Sequence, residues 1–410
     1  MRPSCLLPNL MVLRWSPYIL TPHIPIISIQ RLLSPTLVSL EATLAEADQA
    51  TLLSFFDNYP LLCRNLKSVE FRFSAPLRSE TTIQALSRAI CSQETLGSVI
   101  LHTPIDGIAL TYLCTLPTLK VLSVHLSERS RLRMGPFLPT DPLFCSAEVL
   151  EFVTSDLDLV ISLLRPRDQI FHTFGLYHQG RQTSEAVVRF LKLLTSRSRP
   201  SPIQKLTLSI GDISHPIPAD QMTSEAMRHR LSYKTLQPLM VLGSLRVLVI
   251  EWSEQISLDD DELAALTRSW PLLQVFNFYC GRGGYPPCST KYATLLGLLS
   301  LVNSCPELYT VSLPLDARQV PVVKEAEARE TRFVCLIVPE SPINEARPVA
   351  EFLLKYLPSV TAVDARFMRP PGTNVEQIIA YEVAWQQVET RLVEFDRSLS
   401  DSSESEGSEV

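Results

Sequence analysis

A single pattern of apolar positions recurs along the chain. An apolar residue is followed by two variable positions, a second apolar residue, one variable position and a third apolar residue, as in LPNLMVLRW, CRNLKSVEF, LPTLKVLSV and LGSLRVLVI. The last two apolar positions are two residues apart, so their side chains point to the same face of a β-strand. Each copy therefore predicts one short strand with one buried face.

The copies are regularly spaced, and their first apolar positions are residues 10, 37, 66, 96, 119, 147, 171, 203, 245, 273, 308 and 360. Most intervals are 23 to 32 residues, and the longer ones fall late in the chain. A short strand cannot bury its apolar face alone, whereas copies stacked in parallel bury it together. We therefore predict an array of irregular repeats with an insertion near residues 318–343.

Helix-like stretches separate the strand motifs, and many end just before a proline, which cannot continue a helix. They are residues 45–59, 80–90, 106–116, 184–194, 223–242, 258–270, 291–305 and 345–357. One strand and one helix in about 28 residues are typical of a leucine-rich repeat. The predicted fold class is α/β: a leucine-rich-repeat solenoid, a right-handed βα superhelix with parallel strands on the concave face and helices outside. An open doubly wound α/β sheet is the disfavoured alternative.

Three segments follow from this interpretation. Residues 1–373 are predicted to form the leucine-rich-repeat-like solenoid. Residues 374–399 keep the spacing of an amphipathic helix and are predicted to cap its C-terminal end. Residues 400–410 are acidic and serine-rich, so we expect a disordered acidic tail.

Composition narrows the classes of function. The chain has 410 residues, of which 64 are leucine and 13 are glycine. Few glycines leave few places where a phosphate can approach the backbone, which disfavours nucleotide-binding folds. The GRGG stretch at 281–284 lacks the lysine and the following helix of a phosphate loop, so it is interpreted as an ordinary loop.

Charge and cysteine usage indicate a compartment. The net charge is −6, and residues 401–410 supply −4 of it, so the chain has no general basic footprint for nucleic acid. No apolar run approaches the ~20 residues of a membrane helix, and the N-terminus lacks the features of a signal peptide. Nine cysteines without a CxxC motif are typical of reduced core thiols. We expect a cytoplasmic or nuclear protein without membrane or nucleic-acid partners.

Catalytic and metal-binding patterns are weak. Residues 259–262 read DDDE, but acidic residues in the first turn of a helix favour its dipole without any metal. The seven histidines are scattered; His172 and His178 are close enough in sequence to share a loop, which is the best argument for an enzyme. We predict no catalytic residue, no metal and no cofactor, and hence a protein that is not an enzyme.

The strands of such an array also present a surface. The residue after the last apolar position of each motif is expected on the concave face, and in several copies it is Arg, His or Tyr, which are types suited to recognition. The candidate partner-binding residues are Arg72, His102, His125, Tyr177, Glu251, Tyr279 and Arg366. Most single positions of this kind are simply solvated. As a set, they suit a protein segment better than a small molecule.

Several longer phrases resemble a known family. LLSPTLVSLEATL, CRNLKSVEFRF, LPTLKVLSVHL and LDDDELAALTRSWPLLQVFNF are similar to the leucine-rich-repeat part of F-box proteins of mushroom-forming fungi, and the resemblance covers about residues 5–317. In that family an N-terminal F-box binds the adaptor of a cullin-based SCF ubiquitin ligase, and the repeats hold the substrate. No LPxEIL-type phrase precedes Leu10 in this chain.

Two functional hypotheses follow. The resemblance implies a non-catalytic protein-recognition module, the substrate-binding arm of an SCF-type ligase, which would bind the cullin adaptor only if an F-box lies upstream. The alternative is a stand-alone leucine-rich-repeat scaffold or GTPase-regulating protein with no ligase role. In both, a protein partner occupies the concave face.

Overall fold

The computed structural model describes residues 6–16, 26–44, 49–74, 77, 79–127, 130, 143–144, 146–164, 170–196, 202–211, 229–252, 256–280, 292–323, 332–339, 341–365 and 375–405. They fall into two compact units. The first unit comprises Met1–His178 and Arg197–Arg199, and the second comprises Gln179–Ser196 and Pro200–Val410.

The first unit is a series of parallel strands in sequence order, each paired with the next. The strands are β1 (Val12–Trp15), β2 (Ser39–Leu44), β3 (Ser68–Phe73), β4 (Ser98–Pro104), β5 (Val121–Leu126), β6 (Val149–Thr154) and β7 (Thr173–His178). The helices are α1 (Ile26–Gln30), α2 (Gln49–Leu62), α3 (Glu80–Cys91), α4 (Gly107–Thr115) and α5 (Leu157–Leu164).

Tight turns precede several of the strands. In the turns Ser34–Leu37 and Leu116–Leu119, the N–H of the last residue donates to the carbonyl of the first, at 3.1 and 3.3 Å. The second position is Pro35 or Pro117, whose fixed φ suits that position of a type I turn. The prolines that punctuate the sequence therefore do more than end helices, because they also shape the entry to each strand.

The apolar positions of the motif meet the helices. Phe71 of β3 is buried against three side chains of α2, with ring centroids 5.6 Å from Tyr59, 5.9 Å from Phe55 and 6.0 Å from Phe56. Along β2, β5 and β6 buried residues alternate strictly with partly exposed ones. The strand motif thus separates one face that packs on helices from one polar face.

The second unit repeats the arrangement. Its main strands are β8 (Lys205–Ile210), β10 (Val247–Trp252), β12 (Val275–Cys280), β14 (Thr310–Ser312), β16 (Cys335–Ile337) and β17 (Ala362–Asp364), with two short parallel pairs, β9 (Leu231–Ser232) with β11 (Ile256–Ser257) and β13 (Ala293–Thr294) with β15 (Leu315–Asp316). Its helices are α6 (Ser184–Thr195), α7 (Tyr233–Leu236), continued by a 3₁₀ turn at Gln237–Val241, α8 (Asp260–Thr267), α9 (Leu295–Ser304), α10 (Ala346–Tyr356) and α11 (Val375–Ser405).

The α/β leucine-rich-repeat fold class is confirmed, since every one of the twelve motifs is followed by a strand that pairs in parallel with a neighbour. One motif was missed. The stretch 318–343, predicted as an insertion, contains β16. Leu336 in this strand and Phe333 and Val338 beside it are buried, and they occupy the three apolar positions of the motif. Counting it divides the longest interval into steps from 308 to 333 and from 333 to 360. The sequence FVCLIV in this stretch is strand-like, but it was not counted among the repeats because a charged segment precedes it.

Two helix predictions also needed correction. The stretch LDLVISLL forms α5, which was not predicted, because a mostly apolar segment of eight residues is not distinguished from a strand by its length and composition. The C-terminal helix α11 runs to Ser405, past the predicted boundary at 399, and the first residue that breaks helices is Gly407. Trp385 fixes this helix: its indole is buried, and Nε1 donates to the Ser341 carbonyl at 2.8 Å. Residues 406–410 lie outside the described part of the chain.

Candidate protein-binding face

The polar face of the first unit is set out in two rows. Parallel register places the central-row residues side by side on successive strands: Arg14, Glu41, Glu70, Ile100, Ser123, Glu151 and Gly175. The outer row lies two residues further along each strand and includes Thr43, Arg72, His102, His125, Val153 and Tyr177. Because both rows alternate with buried residues, their side chains point away from the helix-packed core.

Glu70 is the centre of a charged cluster in this face. Arg72 donates through Nε to Glu70 Oε1 at 2.6 Å, and its Nη2 lies 2.6 Å from the same oxygen. The His102 Nε2 atom lies 3.8 Å from that oxygen as well. The Glu70 side chain is only 16% exposed, whereas those of Arg72 and His102 are 55% and 49% exposed. The carboxylate therefore holds the Arg72 side chain in place from below, and the His102 ring lies beside it.

A second ion pair borders this cluster. The Arg14 Nε atom lies 3.2 Å from Glu41 Oε2, across the pairing of β1 with β2. Arg14 is the more exposed partner. Arg14 and Arg72, the two arginines in these rows, are thus each paired with a glutamate.

The register shifts where β4 meets β5. Leu101 pairs with Val124, but His125 pairs with Pro104, so His102 and Thr103 have no direct partner on β5. His125 consequently lies deeper than His102, and burial lowers the pKa of His125 below its ordinary value. Such irregularities re-aim side chains. The two histidines, adjacent in the predicted row, therefore occupy different environments.

Two side chains converge over a glycine at the β7 end of the face. Gly175 is paired with Glu151, and a Cβ atom built on this glycine would be 2.9 Å from Glu151 Cγ and 3.4 Å from Tyr177 Cε2. The Glu151 side chain and the edge of the Tyr177 ring therefore converge over the glycine. Tyr177 is 36% exposed.

The polar face of the second unit differs in chemistry. Here Glu251 pairs with Tyr279, and Asn277 lies between Val249 and Ser312 in the adjacent strands. Thr207, Ser209 and Ser312 are small and buried, at 8%, 9% and 2% exposure. The Asn277 Oδ1 atom is buried without a hydrogen-bond partner.

The predicted site residues are therefore distributed over both units. Arg72, His102, His125 and Tyr177 share the polar face of the first unit, Glu251 and Tyr279 lie side by side in the second, and Arg366 lies outside the described residues. Sequence reasoning did not single out Glu70 and Glu151. A signal existed, since both stand in the row beside the selected residues, but their contacts become visible only in the structure.

Two other predictions can be examined in the structure. His172 is exposed just before β7 and His178 is buried at its end, so the strand separates them by about 20 Å and they do not share a loop. In the DDDE segment, Asp259 and Glu262 form a capping box at the start of α8. Within the described residues no three His, Cys, Asp or Glu side chains are grouped to hold a metal.

The thiols and hydropathy of the described residues add two facts. Cys91, Cys114 and Cys305 are free thiols, and burial raises the pKa of Cys91 to about 11 and that of Cys305 to about 12. No helix in the described ranges is both long enough and apolar enough to cross a membrane.

Comparison with known proteins gave structural matches only. No protein-family model matches the chain, and no curated protein matches it significantly. A chain in the crystal structure of the Rad7 and Elc1 complex in yeast is 12% identical, with a TM-score of 0.44 over 85% of this chain and 82% of that one. A chain in the TLR13–ssRNA13 complex is 12% identical, with a TM-score of 0.27 over 88% and 49%. The fold assignment rests on the strands, turns and helices described above.

Proposed function

We propose that this protein is a non-catalytic protein-recognition module and that the polar face of the first unit binds an extended segment of a partner protein. The observation that carries the proposal is the cluster around Glu70. Its carboxylate fixes Arg72 by hydrogen bonding, the His102 ring lies 3.8 Å away, and both side chains remain about half-exposed. Side chains held in position before binding lose less entropy when a partner arrives.

The chemistry of the cluster suits a peptide. A guanidinium has five N–H donors, and only the Nε and Nη2 groups of Arg72 contact Glu70. The remaining donors suit the carbonyl or carboxylate oxygens of a partner segment. Tyr177 adds an aromatic surface at the other end of the face.

The dimensions of the face also suit a peptide. Arg72 on β3 and Tyr177 on β7 are four strand spacings apart, which corresponds to about 19 Å at about 4.8 Å per spacing. An extended segment rises about 3.3 Å per residue, so about six residues would span this distance. The face is thus large enough to contact a short peptide at several of its residues.

The finer proposal is that this module is the substrate-binding arm of an SCF-type ubiquitin ligase. The support is the resemblance of the repeat phrases to those of fungal F-box proteins. On this proposal the polar face binds the substrate, and the cullin adaptor is bound by an F-box encoded upstream.

Affinity capture with quantitative mass spectrometry tests the recognition function. The full chain is compared with a variant carrying Arg72→Gln, His102→Gln and Tyr177→Ala, and with Arg88→Gln as a matched control on the outer side of α3. We expect specific partners to be lost from the triple variant and kept by the control. Partners retained equally by all three proteins would contradict binding at this face.

The ligase role needs a separate experiment. The chain, extended upstream if the gene encodes more residues there, is co-expressed with the cullin adaptor and purified. We expect the adaptor to co-purify with the extended protein. An extended protein that never retains the adaptor, but still retains its partners, would favour the stand-alone scaffold.

A further inference from the structure

The charges of the Glu70 cluster are balanced within the cluster itself. Its carboxylate and its guanidinium are in direct contact, since Arg72 Nε and Nη2 both lie 2.6 Å from Glu70 Oε1. Within the described residues, Arg72 contacts no other acid, and the only other basic group near Glu70 is the His102 ring. A charged side chain that approaches the pair therefore finds no net opposite charge.

One acceptor of the cluster has no partner. The contacts of Arg72 and the approach of His102 are all made to Glu70 Oε1. Glu70 Oε2 accepts no hydrogen bond in the described part of the chain, yet it is not one of the buried atoms that lack a partner there. The Glu70 side chain keeps 16% exposure, so Oε2 is an acceptor that can be reached from the solvent.

One donor group of the cluster is open as well. A guanidinium has five N–H donors, and Arg72 approaches Glu70 only through Nε and Nη2. The Nη1 group donates no hydrogen bond to any described residue, and the Arg72 side chain is 55% exposed. Because the guanidinium and the carboxylate touch, the open donor and the open acceptor belong to one small site.

The neighbours in register complete the surroundings of this site. Ile100 on β4 pairs with Glu70 from one side, and Glu41 on β2 pairs with it from the other. Ser68 and Ser98, which pair with each other, lie two residues before Glu70 and Ile100 on the same face. A side chain bound over the cluster thus meets an apolar wall, two hydroxyl groups and a second carboxylate.

We infer that the Glu70–Arg72 cluster binds an uncharged side-chain amide, that of glutamine or asparagine, in the partner segment. This inference rests on the proposed recognition function and specifies the partner's chemistry. A side-chain amide has both an acceptor oxygen and donor N–H groups, so it accepts from Arg72 Nη1 and donates to Glu70 Oε2.

Charged side chains fit the same site less well. An acidic side chain would face two carboxylates, those of Glu70 and Glu41, which are adjacent in register. A basic side chain would face the guanidinium of Arg72. A charge taken out of water without net compensation costs more free energy than a neutral polar group that finds its hydrogen bonds.

Selection from a random 12-residue phage-displayed peptide library on the full chain tests the inference. We expect glutamine or asparagine to be enriched at one position of the selected peptides. In a synthetic peptide, replacing that amide by the matching acid, or by methionine or leucine of similar size, should weaken binding about tenfold or more. The reason is that a polar group of the cluster is then covered without a suitable partner.

Variants that change the charge of the cluster give the sharper readout. Glu70→Gln leaves a net positive charge, so the acidic peptide should bind this variant at least as tightly as the amide peptide does. Arg72→Gln leaves a net negative charge, so a peptide with lysine at that position should gain on the amide peptide by about tenfold relative to wild type. A pair with a purely structural role would weaken all peptides alike.

An ion pair on the helices supplies the matched controls. Asp57 of α2 and Arg88 of α3 lie 3.7 Å apart and are both exposed. Asp57→Asn and Arg88→Gln remove the same charges as the cluster variants and should leave the amide preference unchanged. Thermal unfolding checks that all four variants are folded.

The remaining outcomes separate the two proposals. Peptides that lose affinity with Arg72→Gln, but carry a constant acid, a constant base or no constant residue, would overturn this inference and leave the proposed function standing. An amide preference unchanged by both Glu70→Gln and Arg72→Gln would overturn it too. Failure to select any peptide, or selection of peptides indifferent to Arg72→Gln, His102→Gln and Tyr177→Ala, would overturn both proposals.

Discussion

The polar faces of the two units both lie on parallel strands with the same apolar motif, but they carry different side chains. In the first unit the face carries Arg72, His102 and Tyr177, all with a large exposed fraction. In the second unit the corresponding strands carry Thr207, Ser209 and Ser312, which are all buried. The charged and aromatic pair of the second unit, Glu251 and Tyr279, is only partly exposed.

The comparison shows that the repeat motif determines which side of each strand is polar, but not which polar side chains that side carries or what they bind. The apolar positions determine which side of each strand packs on helices, and they do so equally in both units. The intervening positions are under no such constraint, so they can carry an ionic cluster in one place and small polar groups in another. The helix-packed core should therefore respond alike in both units, and the polar faces differently.

The largest expected effect checks whether the cores are alike. Phe71→Ala in the first unit and Phe276→Ala in the second each remove a fully buried ring, and each should lower the free energy of unfolding by about 3–5 kcal/mol. Urea denaturation measures both, with exposed Leu61→Ala and Leu272→Ala as matched controls. A cost below about 1 kcal/mol in only one unit would show that the cores differ as well as the faces.

The same substitution at two glycines should separate the units further. An added Cβ at Gly297 would lie 2.4 Å from Asp260 Oδ1, and that carboxylate accepts hydrogen bonds from the Thr294 N–H at 2.6 Å and hydroxyl at 2.7 Å. Gly297→Ala should therefore destabilise the protein by about 2 kcal/mol, the scale of a hydrogen bond to a charged group. The cost should shrink in an Asp260→Ala background, as measured by a double-mutant cycle in urea.

At Gly175 the same change meets only the exposed-face side chains of Glu151 and Tyr177. Gly175→Ala should alter stability by about 0.5 kcal/mol or less, because the strand preference for a Cβ offsets the displacement. It should nevertheless weaken binding of a partner segment at this end of the face. A large stability loss here would contradict the view that this face is tuned for binding.

A stabilising change is expected in the first unit. Gln93 is 1% exposed, and neither atom of its amide has a hydrogen-bond partner. Leu242, Trp270, Cys305 and Leu357 are buried at the matching turn position in the second unit. Gln93→Met should therefore raise the free energy of unfolding by about 1–2 kcal/mol. Gln84→Met on α3, where the amide donates to Glu80, is the matched control; an unchanged or lowered stability for Gln93→Met would contradict the prediction.

The smallest expected effect is a pH dependence. Burial lowers the pKa of His125 in the folded state, so the folded protein favours the neutral ring. The stability from this ring is present above the ordinary histidine pKa of about 6.5 and is lost as the pH falls below it. His125→Gln should thus reduce the drop in melting temperature between pH 7.5 and 5.5. The exposed His172→Gln is the matched control, and an undiminished drop in His125→Gln would refute the assignment.

Much of the fold could be predicted because its signals are local. Motif positions such as Leu66, Val69 and Phe71 repeat at a spacing that only a strand satisfies, and prolines mark the turns before them. The exceptions were also local in origin. The FVCLIV stretch was interpreted as strand-like but was not counted as a motif, and α5, with eight mostly apolar residues, is too short to be distinguished from a strand.

Less of the candidate site could be predicted, because its members are brought together across strands. The sequence by itself determined which residues stand on the polar side of each strand, since alternation follows from backbone geometry alone. Only the tertiary structure decided that Arg72 and His102 share Glu70, that the β4–β5 shift sends His125 deeper, and that Glu151 meets Tyr177 over Gly175. These contacts depend on the register between strands and on side-chain reach, which are fixed by packing rather than by position in the chain.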